Sequence, residues 1–251
     1  MELSEFYIGY LPKAPAGIRK IVRLVVGGIL LVSVAGALLF AAAQREFANS
    51  SFEFGKMTEY QGDLIEEPYP SLIVHGQSGA TESKNPFLLV APGKHGAEQI
   101  VNGYGGRNVR LRGTLIHREE GQMIEVVPGS ITEASGRQAS RPAPRYLGEF
   151  TLNGEIVDSK CFLGVMNPGR GKVHRDCAVR CISGGIPPAF VTEDLAGATK
   201  ILLLTDETGK PLKKGLFLNR VAQPLQIHGR VVESEGLLYL QAAPGQIITL
   251  R

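Results

Sequence analysis

Leu24 to Ala43, LVVGGILLVSVAGALLFAAA, is a run of twenty residues without a single charge. A helix rising about 1.5 Å per residue needs that many to cover a hydrocarbon core roughly 30 Å thick. The run predicts one transmembrane helix over residues 21–43, and no second run of this kind follows. Everything after it is then committed to one side of a membrane. Lys13, Arg19, Lys20 and Arg23 precede the helix, whereas Arg45 and Glu46 cancel behind it. The positive-inside rule puts residues 1–20 in the cytoplasm and the rest outside, in the periplasm if the membrane is a bacterial inner membrane. Ala41-Ala42-Ala43 also resembles the cleavage site of a signal peptide. Signal h-regions run only about 7–15 residues, so the anchor is the expectation.

Beyond the helix the charges nearly balance, with 23 Lys and Arg against 22 Asp and Glu after residue 43. A net charge that small gives no basic field for nucleic acid. The chain carries 31 Gly and 15 Pro, which punctuate it into short period-two runs, the pattern of strands and turns.

These runs repeat. YQGDLIEEP at Tyr60–Pro68 matches LNGEIVDSK at Leu152–Lys160, and FLLV at Phe87–Val90 matches ILLL at Ile201–Leu204. Val109–Ile131 aligns with Leu225–Ile247, bringing Gly113 onto Gly229 and Pro128-Gly129 onto Pro244-Gly245. The expectation is a mainly β protein with two tandem small barrels of the OB type, β-sandwiches being the alternative. The first spans 50–135 and the second 147–251, with a Pro-, Ser- and Arg-rich linker at 136–146.

The repeat isolates an insertion at 161–190 in the second unit. It holds all three cysteines and one of the five histidines. KVHRDCAVRCIS, Lys172–Ser183, predicts a short helix stopped by Gly184-Gly185 and a Pro pair. At about 100° per residue, His174, Cys177 and Cys181 share one helix face. Cys161 leaves the end of the preceding strand and closes on that face, which makes Cys161, His174, Cys177 and Cys181 the candidate ligands of a Cys3His zinc site. Met166 would add a thioether suited to copper(I), and Asp158 a carboxylate to orient His174. A disulfide is the competing use of cysteine outside the cytoplasm, although it leaves one of the three unpaired. A thiol-redox role is the third reading, because Arg175 and Arg180 would lower a nearby thiol pKa.

The segment GEIVDSKC…HRDCAVRCISGGIPP, Gly154–Pro188, resembles a segment of poorly characterised bacterial membrane-anchored or exported proteins. The resemblance covers 35 of 251 residues and implies export and anchoring, with no activity attached. The chain has no Ser-His-Asp order, no G-x-S-x-G and no catalytic carboxylate pair. The expected role is therefore non-catalytic: an accessory or assembly protein with a protein partner in a membrane or exported complex. The alternatives are a copper- or zinc-handling or thiol-redox protein acting on exported clients, and a purely structural β module.

Overall fold

The computed structural model describes residues 13–43, 49–75, 84–135, 142–195 and 197–250. Most of the expected cytoplasmic segment and the linker residues 136–141 lie outside these. The chain divides into two compact units, Met1–Phe47 and Ala48–Arg251.

In the first unit, helix α1 spans Ala16–Ala43, five residues longer at its start than the apolar run alone implies. Pro15 explains the difference, because its fixed φ suits the threshold of a helix and its missing N–H is not needed there. Arg19 N donates to Pro15 O at 2.9 Å and its guanidinium to Ala14 O at 2.8 Å, so the basic residues extend the helix past the apolar stretch. The helix is long and apolar enough to cross a membrane and none of its residues is buried, which suggests membrane association.

Among the described residues, the second unit has thirteen strands. They are β1 (Ser51–Phe52), β2 (Thr58–Ile65), β3 (Ser71–His75), β4 (Lys84–Val90), β5 (Asn108–Arg118), β6 (Gly121–Val126) and β7 (Thr132–Glu133), then β8 (Arg145–Asp158), β9 (Pro188–Thr192), β10 (Lys200–Thr205), β11 (Leu225–Ser234), β12 (Leu237–Gln241) and β13 (Ile247–Thr249). A short helix α2 (Glu98–Val101) precedes β5, and a helix α3 (Arg175–Ser183) lies between β8 and β9. Strand β2 pairs antiparallel with β3 and β5, β3 with β4, and β5 with β6, while β4 and β6 pair in parallel and close the ring. Strands β8 to β12 repeat these five pairings, again with a single parallel pair, β10 with β12. Each ring is a closed five-stranded barrel with OB connectivity, and closure rules out the sandwich alternative.

Glycine permits the closure. Gly62 faces Val109, and Gly154 faces Leu225. A Cβ on Gly62 would lie 2.3 Å from Ile73 O, and one on Gly154 2.0 Å from Val191 O. At both positions the first barrel strand crosses its neighbour too closely for any side chain, which lets it bend across the barrel. One strand match shifts by a residue. Leu88 pairs with Met123 and Leu203 with Tyr239, so Leu88 corresponds to Leu203, where the sequence match placed it on Leu202. Both runs are apolar throughout and lack the alternation that pins register.

Those unbroken runs have a structural cause, since their strands are covered on both faces. Leu64, Phe87, Leu89 and Leu111 fill the first barrel, and Leu152, Phe190, Leu204 and Ile227 the second. A third core lies between the barrels. It joins Tyr69, Leu88, Val90, Ile116 and Met123 of the first to Phe162, Leu163, Ile186, Val191, Leu203 and Tyr239 of the second. The barrels pack as one body over that seam. Polar clasps reinforce it: Tyr69 Oη donates to Leu204 O, Arg118 Nη1 donates to Phe162 O at 3.0 Å, and the Arg118 guanidinium lies 4.1 Å over the Phe162 ring.

Candidate metal centre

The segment between the first two barrel strands is five residues in the first barrel, Glu66–Pro70, and 29 in the second, Ser159–Pro187. The longer one leaves β8 at Asp158, makes a wide helical turn at Cys161–Val165 and a 3-10 turn at Lys172–His174, and then forms α3. Helix α3 ends as expected, with Gly184 N donating to Arg180 O at 3.0 Å and Gly185 N to Ile182 O at 3.1 Å. Its N-terminal half differs from expectation, because His174 sits in the 3-10 turn and not on the face of α3.

That displacement divides the expected four-ligand set. The ligand atoms of Cys161, Cys177 and Cys181 lie within 4.8 Å of one another, as do those of Asp158, Cys161 and His174. Cys161 belongs to both groups, and His174 does not join Cys177 and Cys181. Its Nε2 lies 3.0 Å from Asp158 Oδ2, while Asp158 Oδ1 accepts from Cys161 N at 2.8 Å. Asp158 thus both caps the turn that launches the insertion and orients the histidine. Met166 is half exposed on the protein surface. All three cysteines are free thiols, so the staple expected of an exported protein is not formed in this structure.

Cys161 and Cys181 are buried, at 3% and 2% exposure, within the core between the barrels. Cys177 is half-buried. The Cys161 and Cys181 side chains are hydrogen-bonded to each other. This bond is the main reason that the Cys181 thiol is held down to about 7, with help from Lys94 and against the cost of burial. The same bond, followed by burial and the Asp158 carboxylate, pushes the Cys161 thiol up. One proton is thus retained on Cys161 while Cys181 takes thiolate character.

The first barrel completes the site. Lys94, in the turn after β4, places Nζ 2.8 Å from Cys177 Sγ and 3.6 Å from Cys181 Sγ. The hydrogen bond to Cys177 raises the Lys94 pKa and keeps the ammonium charged against the thiols. The loop carrying it is fastened to the second barrel. Gly96 N donates to Gly184 O at 3.0 Å, and a Cβ on Gly184 would lie 1.9 Å from Lys94 O. Lys160, 3% exposed, donates to Ala91 O at 3.0 Å and Gly93 O at 2.7 Å and pairs with Glu125. Sequence reasoning missed both lysines. Lys94 is 83 residues from Cys177 and carries no local signal. Lys160 adjoins Cys161, but nothing in its neighbourhood marks it as buried.

The donor set limits the chemistry. Three sulfurs from one insertion form a soft donor group, joined through Cys161 to Asp158 and His174. Soft thiolates suit both copper(I) and zinc, so the cluster could hold a metal ion. Compared with family models, with curated proteins and with solved structures, the chain matches none.

Proposed function

We propose that this is a membrane-anchored accessory protein whose second barrel holds copper(I) on Cys161, Cys177 and Cys181. Copper bound there adds a soft Lewis-acid centre; Asp158 and His174 fix the turn that presents Cys161, and Lys94 offsets thiolate charge. The observation that carries the reading is three convergent thiols, two of them walled in by the core between the barrels and one half-open to solvent. The basic flank of α1 supports a cytoplasmic N-terminus and an extracytoplasmic location for the barrels. The resemblance of Gly154–Pro188 to bacterial anchored and exported proteins supports an inner-membrane setting. Duplication of one OB unit, followed by insertion into the second copy, accounts for the matched pairings and the unequal segments after the first strand. The anchor and tandem barrels, with no catalytic set, favour assembly work beside a larger complex in the membrane or outside it.

The test is metal content and thiol count on the detergent-solubilised full chain, purified anaerobically without chelator and titrated with copper(I) and zinc. One copper per chain, lost in Cys181→Ser and retained in His174→Ala, supports the centre. Binding of zinc alone, with His174 required, would overturn it in favour of the Cys3His arrangement. The second reading is thiol redox, favoured by the hydrogen-bonded Cys161–Cys181 pair beside the Lys94 ammonium. It requires a protein that takes up no metal and exchanges with oxidised glutathione to form a Cys161–Cys181 disulfide, leaving Cys177 free.

A further inference from the structure

We infer that copper reaches the centre as an anionic cuprous–thiolate complex, drawn in by Lys94 and exchanged first onto Cys177. The inference rests on the copper reading above and adds the form of the cargo and its direction of travel.

The three thiols are graded by access. Cys177 is half-buried, whereas Cys181 and Cys161 are at 2% and 3% exposure within the shared core. An arriving ion meets Cys177 first. The cation at that point is Lys94, on an exposed loop contributed by the other barrel, 2.8 Å from Cys177 Sγ and 3.6 Å from Cys181 Sγ. A bare cuprous ion would have to approach against this ammonium; a complex with net negative charge is attracted by it. In sequence, residues 170–180 carry Arg170, Lys172, Arg175 and Arg180 against Asp176, but Arg170 faces Glu193 and Arg175 donates to Asn219 O. Lys94 is therefore the cation fixed at the entry sulfur, and a fixed ammonium there favours an anionic ligand over a cationic one.

The chemistry balances without any redox change. A donor complex of one cuprous ion and two thiolates carries a single negative charge. The Cys177 sulfur bonds to the copper, one donor thiolate leaves, and the departing sulfur takes the Cys177 proton as a neutral thiol. The Cys181 sulfur, already of thiolate character, then bonds to the copper and the second donor thiolate leaves as an anion, to be protonated by water. The copper stays cuprous, and the negative charge stays on the bis-cysteinyl centre beside Lys94. Cys161, hydrogen-bonded to Cys181, is positioned as the third sulfur.

The experiment uses the reduced, metal-free full chain in detergent and two donors of opposite charge, cuprous bis(glutathionate) and the cuprous acetonitrile cation. Loading is followed by stopped-flow ultraviolet absorption of the copper–thiolate bond. Lys94→Glu should slow loading from the glutathione complex about tenfold, the scale of single-site electrostatic steering at low salt, without slowing loading from the acetonitrile cation. Lys94→Arg should restore the wild-type ratio of the two rates, and added salt should shrink the difference. Cys177→Ser should block loading from glutathione more severely than from acetonitrile. Equal slowing from both donors in Lys94→Glu, or none from either, would overturn the inference and leave the copper centre standing. Failure of the wild type to take copper from either donor would overturn the centre itself.

Discussion

Replacing Lys160 with Met tests whether the two barrels are held as one body by a buried cation. The side chain is 4% exposed and its ammonium serves three acceptors: Ala91 O, Gly93 O and the Glu125 carboxylate, itself 17% exposed. Met preserves most of the stem and removes only the charge. Breaking a buried ion pair from one side costs about 3–5 kcal/mol, because the partner remains charged and desolvated. The slight exposure of Glu125 lets water reach it and favours the lower figure. Gly93 is exposed and can rehydrate, but Ala91 is buried, so one stranded carbonyl adds about 1–3 kcal/mol. A net loss of about 4 kcal/mol lowers Tm by roughly 10 °C for a cooperative unit of this size. Thermal unfolding of the full chain in detergent, followed by near-ultraviolet circular dichroism, measures it. Lys160→Met/Glu125→Leu should recover at least about 1.5 kcal/mol of the loss, since it removes the orphaned charge as well. A Tm change under about 2 °C in Lys160→Met would refute the clasp. So would a double variant no more stable than the single one.

Gly154→Ala should cost about 1–3 kcal/mol by overpacking, because its Cβ would lie 2.0 Å from Val191 O, while Gly245→Ala, with nothing within 4 Å, should be neutral. Denaturant unfolding separates them, and equal midpoints would contradict the close strand crossing. Iodoacetamide should label Cys177 before the other two thiols, as peptide mapping would show; preferential labelling of Cys161 would contradict the exposure order. In the metal-free protein the Cys181 thiol lies near 7 against an ordinary 9.0, so the unfolded chain binds more protons between these values and stability should rise from pH 7 to 9. Above pH 9 the raised Cys161 reverses the slope, because only the unfolded chain then loses that proton. A Tm independent of pH across 6.5–9, or a rise that persists in Cys161→Ser, would exclude the shared-proton pair.

The barrels were legible because their information is local. Period-two runs, Gly62 and Gly154, and the hairpins ending in Pro-Gly each follow from strand and turn chemistry over a few residues. The strand register at Leu88 and Leu203 was not, since a strand covered on both faces has no polar positions to mark its phase. The site was half legible. Cysteine and histidine spacing located the insertion, and Asp158 was recognisable as a partner for His174. Helical spacing gathered His174 with the cysteines, and the 3-10 turn ahead of α3 brings it in on the Asp158 side, grouped with Cys161. Lys94 belongs to the other barrel, and no pattern near the cysteines points to it.

A comparison of equivalent loops explains why Lys94 is available to the thiols. In both barrels the turn after the third strand closes with the same backbone bond, Ala91 N to His95 O at 3.0 Å and Asp206 N to Lys210 O at 2.8 Å. In the second barrel the loop is satisfied internally, with Asp206 Oδ1 accepting from Thr208 N, Thr208 Oγ1 and Lys210 N. The first barrel has Ala91 in place of that aspartate. Its loop finds its partners across the seam, where Lys160 takes the carbonyls of Ala91 and Gly93 and Gly184 takes the N–H of Gly96. The cross-barrel bonds, in place of an internal aspartate, hold the loop that carries Lys94 over the thiols. Ala91→Asp would therefore place a carboxylate beside Lys160 and near Lys94. It should draw the ammonium off the sulfurs and reduce the advantage of an anionic copper donor. If the donor preference stayed at its wild-type value, the placement of Lys94 would not depend on the loop's lack of an acid.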